Sequence, residues 1–304
     1  MIAFGCPITR PEDYDRFAAP GLHLAREPDS EILANSSAGS IFRAYNLLLD
    51  LAAKREDLEA LVLLHQDVEI VDRDFCAKVR ESLADPDVAV AGCVGALDAR
   101  SMAWWEGSVT WASFTHRYYE LGGGELPAFA MHPEKVPPAY ARTGEVDTLD
   151  GFLLVLSPWA VSNTRFDESL GPFHGYDFDF CMQVREAGRK VVTADLKVVH
   201  HHSLELCPEP ESWITAHMRL AEKWDGRIPG VGNAPGDWKQ RARRAEATAS
   251  AEGMQRVSTT MKRDARIRQL ERELNAVKHS ASWRLTAPLR WLNAVRRRRT
   301  PSRG

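Results

Sequence analysis

A strand, a helix and a second strand are predicted within residues 147–203, which contain DTLDGFLLVLSP (147–158) and FDESLGPFHGYDFDFCMQVREAGRKVVTADLKVVHHHS (166–203). The apolar run Leu149–Leu156 predicts one buried strand, and Lys190–Ala194 predicts another. Between them, Asp177–Ala187 has the apolar spacing of a helix that ends at Gly188. Strands and helices that alternate in this way are typical of an α/β domain with a mostly parallel sheet.

The same alternation extends toward the N-terminus. Further strands are predicted at Ile2–Ile8, Glu31–Ala34, Ala60–Leu64 and Val88–Val94, and further helices at Ser40–Lys54, Asp72–Ala84 and about 210–223. Met102–Pro138 has no steady period, so we expect a long excursion from the sheet, and long irregular loops in compact domains are usually functional. We therefore predict one α/β domain over residues 1–225.

The distribution of charge separates the end of the chain from the rest. Among the 304 residues, 239–304 hold 18 Lys+Arg against 5 Asp+Glu, whereas 1–238 hold 21 against 37. The stretch 226–237 is rich in glycine and proline, which is typical of a linker. We predict a linker at 226–260 and a basic, helical or coiled-coil tail at 261–304.

The cysteines and the apolar runs bear on the cellular compartment. Five cysteines are scattered without a C-x-x-C spacing, which indicates neither a disulfide framework nor a cysteine zinc site and fits a reducing cytosol. No signal-peptide pattern is present, and no apolar run approaches the ~20 residues that span a bilayer. We expect a cytoplasmic protein.

The tail combines two apolar patterns with arginine. Residues Ile267, Leu270, Leu274 and Val277 form a coiled-coil seam that is shorter than three heptads. After it, the apolar residues among the arginines are Trp283, Leu285, Leu289, Trp291, Leu292 and Val295. Arginine runs also occur in nucleic-acid-binding tails and in solvated surfaces. The interleaved tryptophan and leucine favour an anionic membrane surface over nucleic acid, at the inner face of the plasma membrane.

Two groups of acidic residues are candidates for chemistry. Asp67 follows the strand Ala60–Leu64, at the edge where open α/β sheets bind ligands, although an aspartate there is also a common turn former. Asp177 and Asp179 begin a helix, where N-capping accounts for one acidic residue but less easily for two. An ionised carboxylate at such a position is suited to act as a base.

Histidines and tryptophans supply the remaining candidates. In the run His200–His202, strand alternation puts His200 and His202 on one face. A single histidine there would be an ordinary turn residue, but three in a row favour a metal ligand. Trp104, with Trp105 and Trp111, is suited either to contact an acceptor or to pack in the core. No H-E-x-x-H motif supports a metal hydrolase.

These motifs resemble the family 2 glycosyltransferases with the GT-A fold, especially the bacterial streptomycin-biosynthesis and capsule-type subgroup. The resemblance covers roughly residues 2–224. SIFRAYN (40–46) is similar to the helix after the nucleotide loop, and LLHQDV (63–68) is similar to the metal-binding D-x-D strand end. The resemblance implies that Asn46, Gln66 and Asp67 bind the donor nucleotide and that Asp67 also binds metal.

Three further segments match the order of the family's motifs. The resemblance implies an acceptor side at Asp150 and Gly151 in VDTLDGFLLVL, together with Trp104. It implies a catalytic base at Asp177 in FHGYDFDFCMQVREAGRKV, and a metal ligand at His200 in DLKVVH, with His202 as the alternative. Two positions depart from the family pattern: His65 replaces the first aspartate of D-x-D, and Tyr176 replaces the acidic neighbour of the base.

The resemblance implies an inverting glycosyltransferase, with a hexosyltransferase as the expected class. It would use a nucleotide-sugar donor, Mn²⁺ or Mg²⁺ and a carbohydrate or lipid-linked acceptor. The product would belong to a cell-surface polysaccharide, a glycolipid or a glycosylated metabolite. Because the first D-x-D aspartate is missing, a non-catalytic GT-A-like scaffold that binds partners through its C-terminal helix is the alternative.

Overall fold

The computed structural model describes residues 1–36, 39–99, 101–111, 114–121, 125–126, 144–224, 227 and 237–290. Its strands, in chain order, are β1 (Ile2–Pro7), β2 (Glu31–Asn35), β3 (Ala60–Leu64), β4 (Val68–Ile70), β5 (Val88–Gly92), β6 (Val94–Leu97), β7 (Ser108–Trp111), β8 (Phe114–Tyr118), β9 (Glu125–Leu126), β10 (Thr148–Leu149), β11 (Leu153–Leu156), β12 (Lys190–Thr193) and β13 (Val198–His202).

The helices lie between these strands and at the C-terminal end. They are α1 (Pro11–Asp13), continued by a π-helical turn (Tyr14–Ala18) into α2 (Ala19–Ala25), then α3 (Ile41–Ala52), α4 (Phe75–Ser82), α5 (Pro158–Asn163), α6 (Tyr176–Glu186), α7 (Pro210–Lys223), α8 (Asp237–His279) and α9 (Ala281–Leu285). Short 3₁₀ turns lie at Trp104–Glu106, Tyr119–Leu121 and Glu168–Leu170.

The central sheet has six strands in the order β12-β5-β11-β3-β1-β2. Strand β1 pairs in parallel with β2 and β3, and β12 pairs in parallel with β5. Only β11 runs antiparallel to its two neighbours in this sheet. The predicted α/β class with a mostly parallel central sheet is therefore confirmed.

Burial on both faces explains the apolar strands of this sheet. Every residue of β3 (ALVLL) is buried, as expected for an inner strand covered by helices on each side. Beside it, α3 begins at Ser40, whose Oγ accepts a hydrogen bond from the backbone N–H of Arg43. Because β1 and β3 are parallel neighbours, the loops that follow them meet at one edge of the sheet.

Two smaller sheets flank this edge, with strand orders β10-β6-β7 and β4-β13-β8-β9. The run Leu149–Leu156, predicted as one strand, is divided between β10 in a small sheet and β11 in the central sheet. The physical reason is a turn in which the Asp150 side chain accepts a hydrogen bond from the backbone N–H of Phe152, 3.1 Å away.

The excursion predicted at Met102–Pro138 contains regular structure. Strand β7 pairs with β6, and β8 pairs with β13, so the segment returns to the sheets at least twice. Residues 127–138 lie outside the described part of the chain. The helices between Pro11 and Ala25 were not predicted.

The chain divides into two compact units, Met1–Val257 and Ser258–Gly304. Residues 237–260 of the predicted linker lie within α8. Residues 228–236 lie outside the described residues. None of the described helices combines the length and the apolar character that crossing a lipid bilayer requires.

Candidate active site

The loops after β1 and β3 are joined by Gln66. Its Oε1 accepts hydrogen bonds from the backbone N–H groups of Thr9 and Arg10, both at 2.8 Å, and its Nε2 donates to Thr9 Oγ1 at 2.9 Å. The amide therefore holds the β1 loop in place. This contact brings the Arg10 guanidinium to the end of β3, where its Nη2 lies 3.3 Å from Asp67 Oδ2.

Asp67 is a buried carboxylate surrounded by imidazoles. Its Oδ1 lies 3.5 Å from His200 Nε2. Burial acts to raise the pKa of Asp67, but the neighbouring histidines, chiefly His200 and then His65, outweigh it and hold the pKa below its ordinary value. The carboxylate is therefore ionised at neutral pH.

The geometry around Asp67 fits a divalent cation. His65, Asp67 and His200 each offer one ligand atom, and these atoms lie within 4.8 Å of one another. Asp67 Oδ1 is buried without a hydrogen-bond partner in the described structure. Because an unpaired buried polar atom is costly, such atoms are expected where a ligand completes the site. A mixed oxygen and imidazole set suits Mn²⁺ better than Mg²⁺.

His65 is held by a hydrogen bond to Tyr176. Its Nε2 lies 2.7 Å from the hydroxyl of Tyr176, at the first position of α6. Burial lowers the pKa of His65 to about 4, so its imidazole is neutral and able to offer a lone pair. Both departures from the family pattern, His65 and Tyr176, thus contact each other.

Asp177 is held by backbone donors on two sides. Its Oδ2 accepts from the N–H of Gly151 at 2.8 Å, and its Oδ1 accepts from the N–H of Phe178 at 2.8 Å. Burial, followed by the charge of Asp150, raises the pKa of Asp177 to about 7. Burial also raises the pKa of Asp150. A carboxyl that titrates near neutral pH is suited to accept a proton during a reaction.

Glycine is required where Asp177 meets Gly151. A Cβ on Gly151 would collide with the ring and hydroxyl of Tyr176. The absence of this Cβ lets the turn after Asp150 approach the start of α6, so that its N–H reaches the carboxylate.

Two cavities open on either side of His65 and Phe173. The first cavity, of about 240 Å³, lies over the ends of β1 and β3. It is lined by Pro7, Thr9, Arg10, Ile41, His65, Gln66, Asp67 and Phe173. The aromatic cavity, also about 240 Å³, is lined by residues that include Asp150, Asp177, His174, His116, His200, His202, Trp104, Trp105 and Trp213. We call them the β1/β3 cavity and the aromatic cavity.

Most of the predicted site residues border these cavities. Asp67 and Gln66 line the β1/β3 cavity, whereas Asp150, Asp177, His200, His202 and Trp104 line the aromatic cavity. Trp104 is buried in the core and also reaches the wall of the aromatic cavity. The side chain of Trp111 lies outside the described part of the structure.

Asn46 and Asp179 are used inside the protein. The Asn46 side chain donates to the carbonyl oxygen of Phe166 and accepts from its N–H, both at 2.9 Å, and it lines neither cavity. Asp179 is buried, with Lys223 Nζ at 2.8 Å from its Oδ1 and Trp224 Nε1 at 2.9 Å. The geometry gives both residues structural contacts.

The triple histidine alternates as strand geometry predicts. His200 and His202 stack with their ring centroids 4.7 Å apart on the cavity side of β13. His201 faces the other way, stacking on Phe17 and placing its Nε2 2.8 Å from Glu69 Oε2. His201 is therefore excluded from both cavities.

Several lining residues were missed by sequence reasoning. Arg10 and His174 lie in loops without a periodic pattern, and Trp213 lies on the buried face of α7. His116 lies on β8, within the segment predicted as an irregular excursion. Its partner strand β13 was recognisable, but the pairing of two distant strands has no local signal in one sequence.

Sequence comparisons match this chain to a protein family and to proteins named for biosynthetic roles. The model of a family described as "Glycosyltransferase like family" matches residues 16–218. The chain is 31% identical over 205 residues to the streptomycin biosynthesis protein StrF of Streptomyces griseus, which covers 67% of each chain. It is 26% identical over 185 residues to the O-antigen biosynthesis protein RfbC of Myxococcus xanthus, covering 56% of this chain and 13% of that protein.

Solved structures of similar shape were also found. A mannosyltransferase from Pyrobaculum calidifontis is 14% identical, with a TM-score of 0.47, and the match covers 93% of this chain and 82% of the other. The structure of GalNAc-T7 is 10% identical, with a TM-score of 0.48, and the match covers 84% of this chain and 54% of the other.

Proposed function

The chain belongs to the glycosyltransferase-like family and is a glycosyltransferase, and from this premise we propose that it is an inverting enzyme of the GT-A type. It moves a sugar from a nucleotide-diphosphate donor to a hydroxyl group of its acceptor. The arrangement of the two cavities supports this most directly. The β1/β3 cavity is lined by Arg10, His65 and Asp67, and the adjoining aromatic cavity is lined by His200 and by a carboxyl, Asp177, that titrates near neutral pH.

The donor binds in the β1/β3 cavity in this proposal. Arg10 offers a positive charge for the diphosphate, and Asp67, His200 and His65 would hold a divalent cation, Mn²⁺ or Mg²⁺. The cation, when bound, offsets the negative charge that accumulates on the leaving diphosphate. Gln66 contributes by fixing the loop that carries Arg10.

The acceptor binds in the aromatic cavity, where Asp177 acts as the general base. The acceptor oxygen attacks the anomeric carbon as its proton passes to the Asp177 carboxylate. The bond from the anomeric carbon to the diphosphate oxygen breaks on the opposite side, and its electron pair leaves with the diphosphate. Attack and departure on opposite faces invert the anomeric configuration. Trp104 and Asp150 border the acceptor from two sides.

The apolar wall of the aromatic cavity supports a carbohydrate acceptor, either free or lipid-linked. Aromatic side chains present flat apolar faces that pack against the C–H faces of a sugar ring. Both sequence relatives are named for biosynthetic roles, in streptomycin and in O-antigen production. We propose a related biosynthetic role for this chain, in a surface polysaccharide, a glycolipid or a glycosylated metabolite.

A panel of nucleotide sugars tests the proposed function. Incubation with Mn²⁺ and a set of sugar acceptors should transfer sugar from at least one donor, and EDTA should reduce that transfer. Thermal shift with the same nucleotides reports binding independently of turnover, because a ligand that binds the native state raises its apparent stability. Nucleotide binding without transfer or hydrolysis from any donor would contradict a catalytic role and favour the scaffold alternative.

The C-terminal tail is proposed to hold the enzyme at the inner face of the plasma membrane, with the catalytic unit in the cytoplasm. Helix α9 and the residues after it expose Trp283, Leu285 and Leu289 beside Arg284 and Arg290. Apolar side chains among cations suit an anionic lipid surface. The protein should float with vesicles that contain anionic lipid and not with neutral vesicles. A protein that floats with neither kind of vesicle would refute the proposal.

A further inference from the structure

Three histidines form a cluster on the wall of the aromatic cavity. His200 and His202 lie on one face of β13, and His116 lies directly opposite His200 on the neighbouring parallel strand β8. One nitrogen from each of the three rings lies within 4.8 Å of the others. The closest pair is His202 Nε2 and His116 Nδ1, at 2.9 Å.

This arrangement has the donor set of a transition-metal site. Two of the histidines are separated by one residue on the same strand, and the third lies on the adjacent strand. Their side chains converge on one point, because alternate side chains of a strand share a face. Three imidazoles with an open fourth position are typical of catalytic zinc sites, with Zn–N bonds of about 2.0–2.1 Å.

Unsatisfied hydrogen bonding points independently to a ligand. His200 Nδ1 is buried without a hydrogen-bond partner in the described structure, while its Nε2 faces Asp67. A neutral imidazole has a single acceptor nitrogen, so His200 can bind one cation at a time. The three-histidine set and the set around Asp67 are therefore alternatives.

We propose that His116, His200 and His202 form a second metal site, selective for Zn²⁺ and similar cations, whose open coordination position faces the aromatic cavity. Three imidazoles suit Zn²⁺, whereas the set around Asp67 includes a carboxylate, the type of ligand that Mn²⁺ favours. Zn²⁺ in this site withdraws His200 from the donor-side set. Zinc binding itself does not depend on the proposed transfer reaction, but the resulting competition with Mn²⁺ does.

Cobalt spectroscopy tests this site without an activity assay. The full chain, titrated with Co²⁺ as the probe, should develop the visible absorption of tetrahedral cobalt, and Zn²⁺ should displace it. His116→Gln and His202→Gln should each weaken Co²⁺ and Zn²⁺ binding by at least about tenfold. Asp67→Asn should retain the absorption, and the exposed His23→Gln is the matched control.

The outcomes separate the two metal sets. Loss of the absorption in Asp67→Asn, or its full retention in both His116→Gln and His202→Gln, would overturn the proposal. Circular dichroism and the metal-free unfolding midpoint of each variant identify a folding defect. Because two variants on different strands are compared, a fault in one leaves the other as the test.

The second unit exposes a row of apolar side chains along α8. Within α8, Ile267, Leu270, Leu274 and Val277 recur at intervals of three, four and three residues, and each is 46–49% exposed. This spacing defines the a and d positions of two heptads. We call this set the α8 stripe.

The charges beside the α8 stripe select its partner. In a parallel pair of identical helices, each g position lies beside the e position five residues later in the other copy, which pairs Arg266 with Glu271 and Glu273 with Lys278. Both pairs are attractive. An antiparallel pair centred on the same stripe would place Glu271 beside Glu271 of the second copy, and Glu273 beside Glu273 of the second copy. Both of these contacts are repulsive.

We infer that the α8 stripe binds a second copy of this chain as a short parallel coiled coil. Full-length protein should show a sedimentation coefficient that rises with concentration. Arg266→Glu and Glu271→Arg should each abolish this rise, because each places like charges together in both symmetry-related copies of the 266–271 pair. A mixture of the two variants should restore it, since both pairs become opposite in charge.

The position of each charge makes the result specific. Arg272→Glu makes the same charge change at the outer f position and should leave association unchanged. Association that survives in both single variants, or a mixture that stays monomeric, would overturn the parallel arrangement. A monomer at every concentration in the unmodified chain would overturn self-association.

Discussion

The carboxyl of Asp177 combines two opposing influences. Two backbone N–H groups favour its ionised form, yet burial and the nearby Asp150 charge raise its pKa to about 7. The result is a carboxyl that is substantially ionised at neutral pH and more basic than an exposed aspartate. These are the properties that a general base requires.

The pH dependence of transfer should report this carboxyl. Because only the ionised form accepts a proton, kcat/KM should fall about tenfold per pH unit as the pH decreases below about 7. The measurement is kcat/KM from pH 5 to pH 9 at saturating metal. A profile that stays flat down to pH 5 would exclude a base with this raised pKa.

Donor binding should depend on Asp67. Replacing it by alanine removes the ionised carboxylate from the cation set, so nucleotide-sugar affinity in the presence of Mn²⁺ should fall by at least about tenfold. Isothermal titration measures the affinity, and Asp195→Ala outside both cavities is the matched control. Equal affinity in Asp67→Ala and the control would contradict a donor-side cation set at this residue.

The sequence predicts some residues of the candidate site and not others. Asp67 and Asp177 were candidates because they lie at the end of β3 and the start of α6, whereas His200 was preferred because of its place in the family resemblance. Arg10 and His116 were not found, because their positions depend on a side-chain bond from Gln66 and on the pairing of β8 with β13. Those contacts join residues distant in sequence, and no local pattern encodes them.

At the level of elements, helices α6 and α7 are joined by a buried charge. Lys223 Nζ lies 2.8 Å from Asp179 Oδ1 and 2.6 Å from Asp167 Oδ2. Asp179 also accepts hydrogen bonds from Gln183 and Trp224. Because α6 begins at Tyr176, this network sets the orientation of the helix that carries Asp177.

Lys223→Met should weaken this junction. The variant leaves the Asp179 carboxylate buried without its cation, and the free energy of unfolding should fall by about 2 kcal/mol. Lys190→Met removes a cation from the exposed pair with Asp85 and should cost less than about 1 kcal/mol. Urea unfolding measures both. Equal losses in the two variants would show that the junction contributes no more than a surface ion pair.

The strands and helices themselves were largely predictable. Strand β3 and helix α7 have the expected bounds, because continuous apolar runs and helical spacing are local signals. The division of Leu149–Leu156 was not predicted, since the turn at Asp150 interrupts an apolar run without proline and with only one glycine. Turn chemistry competed with strand propensity there and won.

For the whole molecule, the change in charge and the end of the first compact unit lie at different residues. The basic region begins near residue 239, whereas the compact unit continues to Val257 through the first half of α8. Residues Ala247, Ala251 and Met254 belong to the buried core of the first unit. Small apolar residues spaced by four and three in an otherwise polar helix were the available signal.

Removing residues 258–304 should therefore separate the two activities. The chain 1–257 retains its buried core and should unfold cooperatively and transfer sugar to a water-soluble acceptor. It should no longer float with anionic vesicles, because the exposed tryptophan, leucine and arginine side chains of the tail are absent. Calorimetry and flotation measure these properties. Vesicle binding undiminished by the truncation would contradict a membrane role for the tail.

The proposed mechanism requires Asp177 as the general base, and one comparison of variants tests this role. Transfer by Asp177→Asn should fall by about 10²–10⁴-fold, with donor affinity unchanged, while Asp195→Asn keeps the unmodified rate. Burial raises the folded pKa above the unfolded value, so the stability associated with the protonated carboxyl is lost as the pH rises toward about 7. Transfer at the unmodified rate by this folded variant would contradict the central claim.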